Sequence, residues 1–107
     1  MTYWVRVLPA AEQDLDLIVD RLSAKAVSGA AAWIEAYERA LNSLLQQPER
    51  NALAIEAKRV RQPIREYLFK TRQGRRYRLI YLVVEKEVRV LRIRAPGERS
   101  LRRSDFE

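Results

Sequence analysis

At 107 residues the chain has the length of one domain, 1–107, and a fold of this size buries roughly two-thirds of the surface its unfolded chain exposes. It contains no cysteine and no histidine, which excludes a disulfide scaffold, thiolate metal sites, and the commonest general base and metal ligand. The net charge of +7 is lopsided: residues 1–57 carry five basic and eight acidic side chains (−3), and residues 58–107 carry sixteen basic and six acidic (+10). A one-sided basic excess points to a polyanionic partner, nucleic acid or an acidic protein. No charged-then-apolar leader opens the chain and no apolar run approaches the length of a membrane span, so a cytoplasmic protein with no membrane contact is the expectation.

Tyr3 to Leu8 alternates in the manner of a strand, and Pro9 suits the first turn of a helix. From Ala10 to about Lys25, Ala11, Leu15, Ile18 and Leu22 recur at helical spacing, while Glu12, Asp14, Asp16 and Asp20 lie off that face. Val27-Ser28-Gly29 reads as a break with Ser28 as N-cap. A second amphipathic helix then runs to about Gln47, through Ala30, Ile34, Tyr37, Leu41, Leu44 and Leu45, and Pro48 ends it. The two form an antiparallel hairpin, with Trp33 expected to pack at its edge. Glu49 to Gln62 reads as a loop carrying Lys58, Arg59 and Arg61.

Three β-rich runs follow, about Ile64–Thr71, Arg76–Glu85 and Val88–Arg94, with turns at Gln73-Gly74 and Glu85-Lys86-Glu87. Tyr77 to Val84 is almost unbroken in apolar residues, as in a strand covered on both sides. Tyr77 and Tyr81 share one face and are read as core; Tyr67 and Phe69 are either core or a base-stacking pair. Arginines 65, 72, 75, 76, 78, 89, 92 and 94 flank these strands, so the first deduction is an antiparallel sheet with a basic surface. Residues 96–107 form a basic tail with Arg99, Arg102 and Arg103 and no clear period. The order is β-α-α-β-β-β, the first strand pairing somewhere with the later three-stranded antiparallel meander and the helical hairpin covering one face of the sheet, which defines the α+β class. Target binding, to nucleic acid or to an acidic protein, is expected through Lys58, Arg59, Arg61, Arg65, Arg76, Arg92, Arg94, Arg102 and Arg103.

Arg65-Glu66-Tyr67, Gly74 with Tyr77-Arg78-Leu79-Ile80-Tyr81, Val88-Arg89-Val90-Leu91-Arg92-Ile93 and then Gly97-Glu98-Arg99 resemble the RelE/ParE superfamily of toxins from type II toxin–antitoxin systems. The resemblance spans essentially the whole chain. It implies growth inhibition neutralised by a cognate antitoxin, with operator DNA bound only through the antitoxin. It implies no cofactor and no metal. The target is either DNA gyrase, poisoned by ParE-like members, or the ribosome with its mRNA, which RelE-like members cut.

The RelE-like mechanism activates a 2′-hydroxyl, neutralises charge on a phosphorane and protonates a leaving oxygen. By resemblance the catalytic positions are Arg78 on the central strand, Lys70 on the preceding strand and Arg99 in the tail. The sequence departs from the ribonuclease pattern at Leu68, where a second lysine would stand. It departs again at Asp105 and Phe106, where tyrosine or histidine would stand. Binding positions are partly present and proton-transfer positions are mostly absent. The ParE-like branch is therefore the preferred expectation, with the ribonuclease and a non-toxic nucleic-acid-binding domain as alternatives. Paired with Glu66 or Glu87 on a neighbouring strand, Arg78 would instead be a sheet-surface arginine.

Overall fold

The computed structural model describes residues 2–106. Its elements are β1 (Trp4–Val7), α1 (Pro9–Lys25), α2 (Val27–Ser43), a 3-10 turn (Pro48–Arg50), the one-turn helix α3 (Ala57–Val60), β2 (Arg65–Phe69), β3 (Tyr77–Val84), β4 (Glu87–Arg94) and a last 3-10 turn (Arg103–Phe106). The α+β order is that expected from the sequence. Glu107, the last residue of the expected tail, and Met1 lie outside the described residues.

Pro9 opens α1, where its missing N–H costs nothing. Lys25 sits in the last turn, where a cation suits the negative end of the helix dipole. The break between the helices is not at Val27-Ser28-Gly29 with a Ser28 cap. It is a single extended residue, Ala26 (φ −162°, ψ 128°), whose N–H still bonds Leu22 O and whose carbonyl already receives Ala30 N. One extended residue suffices to reverse the helix direction, so α2 starts earlier than its polar residues suggest. It also ends earlier, at Ser43, because Gln47 adopts a left-handed conformation (φ 48°) ahead of Pro48.

The four strands run in the order β1-β4-β3-β2. β2–β3 and β3–β4 are antiparallel, as the meander required, but β1 lies parallel to β4, so the sheet is mixed rather than wholly antiparallel. A crossover through the helical hairpin brings the N-terminal strand to the far edge in that direction. The β3–β4 turn is tight, with Glu85 at φ 57°.

One register shift shapes the sheet. Ile80 pairs with Arg92 and Tyr81 with Val90, so Leu91 is an extra residue in β4. Strict alternation from Val88 and Val90 would send Arg92 and Arg94 under the helices. The bulge resets the alternation, so Val88, Val90 and Ile93 all join the core beneath α1 and α2.

That core gathers Ala11 and Ile18 of α1, Trp33, Tyr37 and Leu44 of α2 and its C-cap, and Phe69, Leu79 and Tyr81 of the sheet. Trp33 is 2% exposed and lies at the centre of an aromatic cluster, not at the hairpin edge. It stacks on Tyr37 with centroids 5.5 Å apart, and meets Phe69 at 5.6 Å and Tyr77 at 5.2 Å. Phe69 thus belongs to the core, and Tyr67 and Tyr77, partly buried, pack against it.

The other face of the sheet is also covered. Ala54 and Ala57, Ile64 and Ile80, and Leu101 from the tail form a second, smaller cluster, with Phe106 packed against it. The segment read as a loop and the tail read as irregular are therefore the second layer.

Candidate functional site

The basic residues divide into those held by the fold and those left at the surface. Arg78 belongs to the first group. From β3 it points to the face covered by residues 49–62 and the tail. There Nη1 and Nη2 donate to the two carboxylate oxygens of Glu56, at 3.1 and 2.7 Å, and Nε donates to Glu66 at 2.8 Å. Glu56, immediately before α3, is fully buried, and it also accepts the backbone N–H of Leu101 at 3.0 Å. One carboxylate thus ties the central strand, the 49–62 segment and the tail together.

Burial alone would push the Glu56 carboxyl up, toward the protonated form. The Arg78 guanidinium and the backbone N–H donors outweigh that, so its carboxyl is held below the ordinary glutamate range. The bond to Glu56, against the opposing effect of burial, holds the Arg78 guanidinium above its usual value. Removing one partner of such a pair costs about 3–5 kcal/mol, because the other is left buried and uncompensated.

Arg92, paired with Ile80 across the β3–β4 ladder, plays a similar part between the sheet and α1. Nε and Nη2 grip Asp14 of α1 at 2.7 and 2.9 Å, and Nη1 reaches the carbonyl of Asp105 in the tail at 3.1 Å. Asp14 also accepts Ile93 N at 2.9 Å. β1 pairs with β4 only as far as Val90, so this carboxylate takes over as acceptor where the strand partner has ended. Arg94 lies opposite Arg78 across the β3–β4 ladder and is offset by Glu98 at 3.3 Å and by the carbonyl of Arg99. Arg65 donates to Asn51 O at 2.6 Å, and Arg59 donates to Leu101 O and to Ser100 Oγ.

Lys58, Arg61, Arg76, Arg99, Arg102 and Arg103 are exposed, and among the described residues their side chains make no ion pair. Lys70 is exposed too, its Nζ at 3.5 Å from Arg72 O. The structure does not gather Arg78, Lys70 and Arg99 into one open cluster: the guanidinium of Arg78 is spent on Glu56 and Glu66, whereas Lys70 and Arg99 face solvent. It does bring Arg94, Arg99 and Arg102 to one cleft of about 260 Å³, beside the hydroxyls of Ser100 and Ser104 and the carboxylate of Asp105. That cleft can take an anion through guanidinium and hydroxyl donors.

Tyr37, Tyr77 and Tyr81 are poorly suited to proton transfer near neutrality. Burial, reinforced by the charge of Glu12, pushes the Tyr37 phenol up to about 12. Burial raises Tyr81 as well, although Asn51 donates to its hydroxyl at 2.8 Å. Tyr77 is raised by burial, with Arg21 and Arg75 pulling the other way. In the tail, Asp105 accepts Arg102 N at 2.6 Å and Phe106 packs on the second apolar cluster.

Sequence reasoning named Glu66 as one partner for Arg78 but missed Glu56 and Asp14, which also hold sheet arginines. Glu56 had a signal: it stands among apolar neighbours in Ala54-Ile55-Glu56-Ala57, unusual for a solvated loop acid. Asp14 had none, since nothing in the helix pattern says that β1 stops short of Ile93.

Against known proteins, a family model described as the ParE toxin of the type II toxin–antitoxin system parDE matches residues 5–99. A solved structure described as a chromosomal ParDE TA system from P. aeruginosa is 18% identical, with a TM-score of 0.64, covering 86% of this chain and 94% of that one. At that identity the likeness speaks for the fold alone. No curated protein matches by sequence.

Proposed function

The chain belongs to the ParE toxin family of type II toxin–antitoxin systems, with an antitoxin as its partner, and from that premise we propose that it arrests growth by inhibiting DNA gyrase through protein contact rather than by cutting RNA. The observation that carries this reading is the state of Arg78. A guanidinium that neutralises a phosphate in flight must be free to meet it, and this one is bound in bidentate fashion by the buried Glu56. The chain also has no histidine and a leucine at 68, and burial raises the phenols of Tyr37, Tyr77 and Tyr81, which weighs further against proton transfer. Target contact is assigned to the exposed cations Lys58, Arg61, Arg76, Arg99, Arg102 and Arg103. Operator DNA is reached only through the antitoxin.

The test is supercoiling by purified gyrase in the presence of the purified chain. Inhibition at stoichiometric concentrations is expected; full activity of gyrase sinks the reading. The ribosome-dependent ribonuclease is the second reading, favoured by the cleft holding Arg94, Arg99 and Arg102. It requires cleavage of mRNA on translating ribosomes. A non-toxic nucleic-acid-binding domain would instead bind bare duplex with a log–log salt slope of about −0.9 per phosphate neutralised.

A further inference from the structure

The two ends of the sheet differ. At the β2 end, Glu66 N bonds Ala52 O and Ala54 N bonds Ile64 O, so the preceding segment already covers that edge. At the other end stands β1, and among the described residues nothing pairs with its outer edge. Trp4 N bonds Lys86 O and Leu8 N bonds Val90 O, so in this parallel ladder Trp4, Arg6 and Leu8 turn their backbone groups toward β4. The N–H and C=O groups of Tyr3, Val5 and Val7 therefore point out of the sheet. A proline, a bulge or an inward-pointing charge commonly blunts such an edge, and residues 3–7 carry none of these. Tyr3, Val5 and Val7 pack against the core yet are only partly buried, because α1 lies chiefly over β4. On the opposite face Trp4 is 54% exposed. Its indole Nε1–H donates to Glu87 at 3.3 Å, and the Arg6 guanidinium lies against the same carboxylate at 3.3 Å.

This edge is complementary to itself. We propose that β1 is a homodimerisation edge, where two copies of the chain pair their first strands antiparallel about a two-fold axis at Val5. The two four-stranded sheets then form one continuous sheet. Val5 faces Val5 of the second copy and exchanges both backbone bonds with it, and Tyr3 does the same with the second copy's Val7. Every group used is one that the single chain leaves unpaired. On the exposed face each Trp4 stands directly opposite the other copy's Arg6, a cation against an aromatic ring, twice by symmetry. On the core side Val5 meets Val5 and Tyr3 meets Val7, which finishes the burial that each chain leaves half done. A one-residue slip sets the outward Trp4 against the inward Val5, so the register is specified. The strand has only four residues, so the dimer is a modest one, with a Kd of about 10–100 μM.

Sedimentation equilibrium of the purified chain, from low micromolar to millimolar concentration, should show the mass rising from 12.6 kDa toward twice that value. Val5→Pro removes an outward N–H that β4 does not use, and should weaken association at least about tenfold. Trp4→Arg sets like charges across the interface from an exposed position and should weaken it similarly, which keeps the test intact if the proline variant does not fold. Melting midpoints are compared at dilute concentration, where the chain is a monomer. Because the chain has no cysteine, the register can be read directly. Trp4→Cys and Arg6→Cys chains, mixed and oxidised, should give a disulfide-linked dimer, since opposed residues of a non-hydrogen-bonded pair lie about 4.5 Å apart at Cα. Neither variant alone should do so, its cysteines lying diagonally at about 7–8 Å. A chain that stays at 12.6 kDa up to millimolar concentration overturns the proposal. So does a dimer that no folded variant weakens, or a mixture that cross-links no better than either variant alone. None of these outcomes bears on the gyrase reading, which its own supercoiling assay decides.

Discussion

The sheet has two faces, and they are closed differently. Under α1 and α2 lie rings and aliphatic chains: Trp33, Tyr37, Phe69, Leu79, Tyr81, Val88 and Ile93. Under the 49–62 segment and the tail lies a thinner apolar layer, Ala54, Ile64, Ile80 and Leu101, beside the bidentate Arg78–Glu56 pair. The first face is secured by area and shape, which depend little on pH. The second relies on an ion pair and a backbone bond that require an ionised carboxylate. A helical hairpin brings enough apolar surface to close its own side, whereas an irregular segment and a short tail bring little and are fixed by charge. The difference teaches that a basic strand need not be a basic binding surface. Arg78 and Arg94 serve chiefly to fasten the second layer, and Arg92 ties the sheet both to α1 and to the tail.

The sharpest break of the helix-covered face is Trp33→Ala, expected to cost about 3–5 kcal/mol in chemical denaturation, the usual range for emptying a buried aromatic site. On the other face, Arg78→Ala should lose about 3 kcal/mol by leaving Glu56 buried and unpaired. Hydrogen exchange at Leu101 N, which bonds Glu56, should accelerate with it. A catalytic Arg78 predicts the opposite pattern, an inactive protein of unchanged stability, so the same variant separates the two roles.

A pH titration contrasts the faces directly. Because the Glu56 carboxyl is held below its ordinary value, the unfolded chain takes up its proton first as pH falls. The contribution is complete above the unfolded glutamate value of about 4.3, and disappears as pH drops through the lower folded value. Glu56→Gln should flatten that limb of the stability curve, and Trp33→Ala should leave its shape unchanged. Asp14→Ala, which strips acceptors from Arg92 and from Ile93 N, should cost about 1–3 kcal/mol in the same denaturation assay. Smallest of all, Arg6→Ala breaks an exposed pair with Glu87 at 3.3 Å and should not move the melting midpoint.

Periodicity carried most of the architecture. Steps of three and four in the first half and alternation in the second are local properties, so both helices, all four strands and their order were readable before any tertiary contact was known. The boundaries that slipped, at Ala26 and Ser43, are set by single backbone conformations that side-chain type does not encode. The bulge at Leu91 did leave a trace, in the spacing of two and then three between Val88, Val90 and Ile93.

The chain by itself determined the α+β order, the hairpin, the charge asymmetry and the family resemblance, because each is written in composition or in short-range pattern. Only the tertiary structure decided which arginines remain available. Glu56 lies 22 residues before Arg78 and Asp14 lies 78 before Arg92; separations of that kind are fixed by how layers stack, and no local pattern reports them. The same holds for the direction of β1 and for the bare edge that its place at the end of the sheet leaves.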